Sequence, residues 1–376
     1  MTIGPMKIVC LTAVLLLVFA RAGAIEHPEP TDTITADSLH EEKPRKLSLI
    51  RRIVRGFDRL DDRYIEPQHY VFTAMLQTIY YYDFYTMRAG DGNVQTITFA
   101  PDANVKMGPY IGWKWFFAGY TLDLRSMKAS RNRQELNLSI YSSQIGVDLI
   151  YRSTGSDYKL RVANFGSGID VSSLEGVAFD GVKAGTMGVD VYYIFNHGRF
   201  SYPAAFAQST RQKVSCGSWM GGVGYTKNTL DLDYEKLQDL VSERLAPQQV
   251  ALDSGLMFRS VSYHDFNVSA GYAYNWVFAP KWVLCASGQA AISYKKTTGD
   301  MADDNRHGFD FQNINLNGIG RFALVYNNDR WYAGFGAIVR MHNYRKQRFS
   351  SSNTFGFMNL YMGYNFGLKK KYRTKK

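Results

Sequence analysis

The chain has 376 residues, 15% of them aromatic, and a formal net charge of +11. Its 26 Tyr, 23 Phe and 33 Gly favour β-structure with aromatic rings at an interface and argue against a helical protein. A basic chain suggests nucleic acid as a partner, but an exported chain meets anionic lipid headgroups or envelope polymers instead. Solvated tails that keep the chain ends off the membrane explain the charge equally well.

The N-terminus has the three regions of a secretory signal. Lys7 precedes an apolar run from Ile8 to Ala20, and Ala22-Gly23-Ala24 is a small-residue cleavage site, which predicts a signal peptide at residues 1–24. The run of about 13 residues is too short to cross a bilayer as a helix, and no later stretch is as apolar. Only helices and closed barrels satisfy their backbone groups in hydrocarbon, so an integral mature protein must be a barrel.

Residues 25–66 are predicted to form a periplasmic leader. The part before Leu47 is rich in Pro, Thr, Asp and Glu and has no periodicity, which indicates disorder. Apolar residues then recur at helical spacing and predict a short amphipathic helix: Leu47, Ile50, Val54 and Phe57. Three positions stay open for this helix: on the inner leaflet, over the periplasmic mouth of the barrel, or packed against the barrel.

From Phe266 to Phe366 the chain repeats runs in which every second residue is apolar and aromatics stand at both ends. In the run 266–278, one face carries only apolar residues and the other carries polar or small ones. A tilted strand of this length covers roughly 25 Å of membrane, the height of the apolar band of an outer-membrane barrel. A secreted β-sandwich also alternates, but the aromatic ends favour the barrel.

The predicted fold is therefore an antiparallel transmembrane β-barrel of about twelve strands, spanning 67–368 and followed by a basic periplasmic tail, 369–376. The strands are expected at 70–85, 105–115, 116–125, 136–151, 158–165, 183–195, 213–225, 266–278, 282–295, 310–326, 331–344 and 354–366. An even number fits two periplasmic termini. Two places leave the count between ten and fourteen. Near Ser142-Ser143 the apolar residues change from even to odd positions, which needs a bulge or a division into two strands. The segment 217–224 is too rich in glycine for its inward and outward faces to be assigned.

The lengths of the links support this arrangement, because such barrels alternate short periplasmic turns with long external loops. The links expected outside are 87–104, 126–134, 166–182, 226–265, 296–309 and 345–353. The link 226–265 has a helical apolar repeat before Pro247, so an external loop with a small helix is predicted, either folded into the pore or capping the surface. One expected periplasmic link, 196–212, is too long and is interpreted as a lid or a strand extension.

Several strings resemble an uncharacterised outer-membrane barrel family of Gram-negative bacteria, the domain of unknown function 4421. The resemblance runs from Tyr64 to the C-terminus and implies location and architecture without a reaction, a ligand or a functional residue. The strings are Tyr64-Ile65-Glu66-Pro67, Ile97-Thr98-Phe99-Ala100-Pro101, Gly108-Pro109-Tyr110, Gly112-Trp113-Lys114-Trp115, Tyr141-Ser142-Ser143-Gln144-Ile145-Gly146, Tyr151-Arg152-Ser153-Thr154-Gly155 and Ser201-Tyr202-Pro203-Ala204-Ala205-Phe206.

Any site is expected on inward positions, because outward ones touch lipid. The lumen-facing candidates, by parity, are Thr121, Asp123, Arg125, Asp148, Lys159, Arg161, Asp190, Asn313, Asn315, Asn317, Arg321, Arg340 and His342. Both charge signs are present, so the lumen of a barrel of this size is either a salt-bridged plug or a narrow pore.

Catalysis and metal binding find little support. A hydrolase needs a nucleophile beside an oriented His, and neither His342 nor His197, four residues before Ser201, has a partner at diagnostic spacing. No His, Cys or carboxylate cluster has metal-ligand spacing, so no metal and no cofactor are predicted. Cys216 and Cys285 are expected to be two small residues in separate strands, with Cys285 facing inward, although spacing alone does not exclude a disulfide.

The function predicted from sequence is passage or binding of a small molecule through the polar lumen or the external loops. A closed structural or adhesive barrel and a lipid-modifying hydrolase are the alternatives. The expected partners are outer-membrane lipids, a small-molecule solute and the barrel assembly machinery, with no nucleic acid. The expected location is the outer membrane of a Gram-negative bacterium, with both termini in the periplasm.

Overall fold

The computed structural model describes residues 60–90, 94–113, 116–119, 122–123, 134–155, 157–246, 248–299, 313–346 and 348–373. The predicted signal peptide, leader helix and lumen positions Thr121 and Arg125 lie outside the described residues. Asp123 is described only as part of a strand.

Antiparallel strands make up most of the described chain. They are β1 (Ile65–Pro67), β2 (Tyr70–Ala89), β3 (Gln95–Pro101), β4 (Asn104–Trp113), β5 (Phe116–Gly119), β6 (Leu122–Asp123), β7 (Gln134–Tyr141), β8 (Ile145–Ser153), β9 (Tyr158–Asn164), β10 (Val182–Ile194), β11 (Thr210–Gln212), β12 (Cys216–Leu232), β13 (Ser260–Ala279), β14 (Trp282–Gly299), β15 (Ile314–Asn327), β16 (Trp331–Lys346) and β17 (Phe349–Leu368). The helices are α1 (Tyr202–Phe206) and α2 (Tyr234–Arg244), with 3-10 turns at Ser172–Leu174, Ser254–Leu256 and Lys370–Tyr372. Within the described ranges, neither α-helix combines the length and hydropathy that a membrane-crossing helix needs.

Twelve strands follow one another in the order β5-β4-β2-β17-β16-β15-β14-β13-β12-β10-β8-β7. The strand β3 pairs with the second half of β2, and β4, which follows β3 in the chain, pairs with the first half. The strands β3 and β4 therefore form one interrupted strand of the barrel wall. After Ser153 the chain continues from β8 into β9, which pairs with β3. Pairing and this passage along the chain together curl the sheet back to β2, which confirms the predicted antiparallel barrel fold, while β5 and β7 are the two ends of the hydrogen-bonded path.

The outer surface carries the apolar belt that a transmembrane barrel requires. Along β13 the exposed side chains alternate with buried ones, and Val268 is 66% exposed while Asn267 and Asn275 of the same strand are buried. Exposed aromatics lie at the end of the wall nearest the chain termini: Phe72, Trp113, Trp276, Phe278, Trp282, Trp331 and Phe366. The outward faces predicted for the runs 266–278 and 282–295 are confirmed.

The predicted strand 136–151 was wrong as a single strand. Gln134–Tyr141 and Ile145–Ser153 form a hairpin, and the turn at Ser142–Gln144 is held by the amide of Ile145 donating to Ser142 Oγ (2.9 Å). The change in apolar parity therefore marks a reversal of the chain, which was one of the two readings left open. The link between the predicted strands 136–151 and 158–165 is the passage from β8 to β9.

Two links that were predicted as long external loops are short connections. The strands β2 and β3 are joined by 90–94, and β16 and β17 by 347–348. In both hairpins the strands extend past the apolar belt. Outside the belt, apolar and polar residues no longer alternate, so the sequence pattern does not show where these strands end. The long link between β12 and β13 contains the predicted helix, α2, with Leu237 and Val241 buried.

Candidate functional site: the filled lumen

The structure brings six predicted lumen residues together as buried groups inside the barrel. They are Asp148, Asn315, Asn317, Arg321, Arg340 and His342. Asp190 and Asn313 are partly buried, and Asp190 lies against Asn267 at 3.5 Å.

An ion pair crosses the middle of the lumen. Asp148 of β8 binds Arg321 of β15, and Arg340 of β16 lies 3.3 Å from the same carboxylate oxygen. Ser139 donates to the other oxygen at 2.5 Å, and Arg321 donates to Gln289 at 2.7 Å. Since β8 and β15 lie far apart around the ring, these contacts divide the interior into two halves.

A second group of buried polar side chains lies further from the chain termini and was not predicted from the sequence. Asp83 of β2 binds Arg152 of β8 at 2.7 Å and accepts a hydrogen bond from Tyr158 of β9 at 2.9 Å. Arg152 also approaches Glu135 at 3.7 Å. Asp83 stands among aromatic residues, and its charge was the available signal, because an acidic residue in a membrane strand must face a partner.

A third group joins neighbouring strands. Lys295 of β14 lies 3.0 Å from Asp265 of β13, and both side chains are buried. Asn317 donates to the same carboxylate at 2.8 Å. Lys295 was already on the predicted inward face, but only the strand register shows that Asp265 is its direct cross-strand neighbour.

The inward assignment of Lys159 and Arg161 was wrong. The buried side chains of β9 are Tyr158 and Leu160, while Lys159 and Arg161 are about one-third exposed, at 33% and 35%. They pair with Asp102 at 2.7 and 2.8 Å. The assignment failed because β9 continues β8 and follows an irregular pairing with β3, so parity cannot be carried over from other strands.

A small cavity of about 20 Å³ with both polar and apolar lining lies inside the barrel, next to the central ion pair. Asp190, Tyr192, Gln289 and His342 line it. Tyr192 Oη, Gln289 Nε2 and His342 Nδ1 are buried and have no hydrogen-bond partner among the described residues. A cavity of this size holds about one water molecule, which would satisfy such groups.

The end of the lumen nearest the chain termini is filled by the segment 196–212, the link that was too long for a turn. Its helix α1 begins at the cap Ser201, whose Oγ accepts from the amide of Ala204 at 3.2 Å. Tyr202 Oη and Ser287 Oγ are 2.6 Å apart, and Gln208 donates to Tyr361 Oη at 2.7 Å. We call 196–212 the plug. It ends in β11, which pairs with β1.

The opposite mouth is closed by an apolar core. Leu237 and Val241 of α2 pack in one buried cluster with Phe179 of the link before β10 and with Tyr85 and Tyr263 of the barrel wall. We call the two link segments in this cluster, 165–181 and 233–258, the cap. On its surface, hydrogen bonding from Lys236 lowers the pKa of Asp180 below its usual value.

The groups considered for catalysis are separated. His197 contacts Gln144 at 3.0 Å and the carbonyl of Ile194 at 3.2 Å, while Ser201 Oγ contacts Thr210 Oγ1 at 2.7 Å. His342 stacks on Phe355, with ring centroids 5.5 Å apart. Cys216 and Cys285 are free thiols, and Cys285 is buried as expected of an inward position. Within the described residues, no group of three His, Cys, Asp or Glu side chains is arranged to hold a metal ion.

Comparisons with known proteins give a family and a set of distant structures. The comparison with curated proteins finds no match. Among solved structures, the chain is similar to the outer membrane protein OprG from Pseudomonas aeruginosa, at 9% identity and a TM-score of 0.24, covering 80% of this chain and 98% of that chain. The P. putida toluene transporter TodX (8%, 0.19, 80% and 91%) and a Pseudomonas aeruginosa FadL homologue (10%, 0.22, 79% and 90%) are also similar. TM-scores this low carry no argument about ligand or mechanism.

A family model described as "Domain of unknown function (DUF4421)" matches residues 59–366, from just before β1 almost to the end of β17. This range includes the wall strands, the plug and the cap. The match covers most of the chain, and the protein therefore belongs to the DUF4421 family.

Proposed function

We propose that the protein is an outer-membrane barrel, closed at rest, that anchors the cap on the cell surface in a structural or adhesive role. The ion pair between Asp148 and Arg321 carries this proposal, because it bridges the lumen between the plug and the cap. The apolar belt supports membrane insertion, and both described chain ends lie at the same end of the wall, which we assign to the periplasm.

Passage of a solute is the less favoured function for physical reasons. A solute that crosses the lumen must displace the plug, separate fully buried charges and open the apolar core of the cap. Separating a buried ion pair without replacing its partners costs several kcal/mol, on the order of 3–5. No such cost arises in a barrel whose lumen is never opened.

Conductance of the refolded protein in planar bilayers tests the proposal. We expect no conductance steps from the wild type, and steps only from a variant that removes all three barriers, with 197–207 replaced by a short Gly-Ser turn, α2 deleted, and Asp148 and Arg321 both replaced by Ser. Heat-modifiable migration on a denaturing gel confirms that both proteins are folded. Stable ohmic steps from the wild type would contradict the closed state.

Gated passage of a small polar solute is a second candidate, favoured by the cavity with its unpaired groups Tyr192, Gln289 and His342. Liposomes loaded with the protein separate the two functions. Uptake of small sugars or amino acids by wild-type liposomes supports passage. Uptake only by the variant that lacks all three barriers supports the closed role.

A further inference from the structure

Three basic side chains form one row on the outer surface of the barrel, across β12, β13 and β14. Lys227 lies directly opposite His264, and His264 lies directly opposite Lys296. Direct cross-strand neighbours have Cβ atoms about 5 Å apart, so the three form a single patch. Neither lysine forms an ion pair with a carboxylate of the described residues. The next residues along these strands, Thr226 and Asp265, are buried, which places the row outward.

An aromatic row lies directly below the basic one. Tyr225, Phe266 and Tyr294 are direct neighbours on the same three strands and the same face. Tyr225 Oη and His264 Nδ1 are 2.7 Å apart, so the two rows are joined. Aromatic rows mark the headgroup level of a membrane barrel, and the basic row above them therefore lies among lipid headgroups.

An apolar groove of about 410 Å³ begins at the aromatic row and extends toward the middle of the belt. Its lining includes Val191, Val223, Phe266 and Val268, and Val223 and Val268 are 60% and 66% exposed. The next row has small residues at Gly221 and Ala270, and the exposed ring of Phe195 lies beside Gly221, so an aromatic side chain borders the groove on this side. The apolar lining of the groove suits a hydrocarbon chain.

We propose that the basic row and the groove form a binding site for one phosphate-bearing lipid of the external leaflet. Lys227 and Lys296 bind the phosphate, the free nitrogen of His264 faces the headgroup, and an acyl chain lies in the groove. A lipid fits better than a soluble anion because the cationic and apolar parts are continuous. The inference rests on the proposed membrane orientation, with the chain ends in the periplasm. In that orientation the site faces the external leaflet, so the proposed ligand is a phosphorylated glycolipid.

Native mass spectrometry of the detergent-purified protein with added lipid A tests the site. We expect one lipid A per barrel for the wild type and at least about tenfold weaker binding, about 1.4 kcal/mol, for the double variant Lys227→Ser/Lys296→Ser, since both cations that bind the phosphate are lost. Val268→Trp fills the groove and is expected to weaken binding as well. The matched control is Lys183→Ser, which removes another lysine, opposite Asp231 on β12, and is expected to bind like the wild type.

Two further measurements keep the outcomes separate. Phosphatidylethanolamine and inorganic phosphate, each added alone, are expected to bind weakly, and equal binding of all three probes would contradict the specific lipid. Unchanged lipid A binding in the double variant, with a heat-modifiable barrel, would overturn the site while leaving the proposed function intact. A protein that fails to insert into membranes would overturn both.

Discussion

Arg321 of β15 and Asp148 of β8 form an ion pair in which both side chains are 0% exposed, although their strands lie on different sides of the ring. Removing two charges from water costs more than their attraction returns unless further hydrogen bonds are made. Ser139, Gln289 and Arg340 supply those contacts. The pair therefore ties β8 to β15 across the interior of the barrel.

Arg321→Met is expected to destabilise the barrel by about 3 kcal/mol, because Asp148 then remains buried with Arg340 alone. Urea titration of the folded fraction, followed by heat-modifiable migration, measures the change. The control Lys159→Met removes a partly exposed pair with Asp102 and is expected to cost at most about 1 kcal/mol. A smaller effect of Arg321→Met than of the control would contradict the role of the central pair.

Period-two alternation predicted the barrel wall well wherever strands face lipid on one side, as in β13 and β14. It failed at β9, where Lys159 and Arg161 were assigned inward. The strand β9 continues β8 but pairs irregularly with β3, so the inward positions of other strands do not predict those of β9. Pairs such as Asp83 with Arg152 depend on contacts between residues far apart in the sequence. Local patterning holds no information on which distant strand lies across the lumen, so the plug and the ion pairs needed the structure.

Gly271→Ala is expected to destabilise the wall by about 1–3 kcal/mol or more, because a Cβ at this inward position would lie 2.2 Å from the backbone oxygen of Gly288. Gly288→Ala is the matched control, since a Cβ there meets nothing within 4 Å. Urea midpoints of the two variants give the comparison. Equal midpoints would show that the strands β13 and β14 approach less closely than described.

Leu237→Ala is expected to loosen the cap without unfolding the barrel, because Leu237 is fully buried in the cap core and truncation of such a side chain costs about 2–5 kcal/mol. Trypsin cleavage near Arg244 reports the opening, and heat-modifiable migration reports the wall. Asp239→Ala, on the exposed face of the same helix, serves as the control. Loss of heat-modifiability in Leu237→Ala would mean that cap and wall unfold together.

Cys285 offers a natural reporter of plug movement, since it is buried in one cluster with Ala205 of α1 and Val283 of the wall. In a Cys216→Ser background, a charged maleimide is expected to leave the folded protein unlabelled and to react after denaturation. Tyr202→Ala removes the contact with Ser287 and the apolar packing of the plug, so labelling is expected to rise at least about tenfold if the lost contacts are worth about 1.4 kcal/mol. Tyr274→Ala, on the lipid-facing surface, is expected to leave labelling unchanged. Rapid labelling of the unmodified plug would show that the lumen is open to water from the periplasm, because a thiol packed against α1 reacts only when that helix moves away.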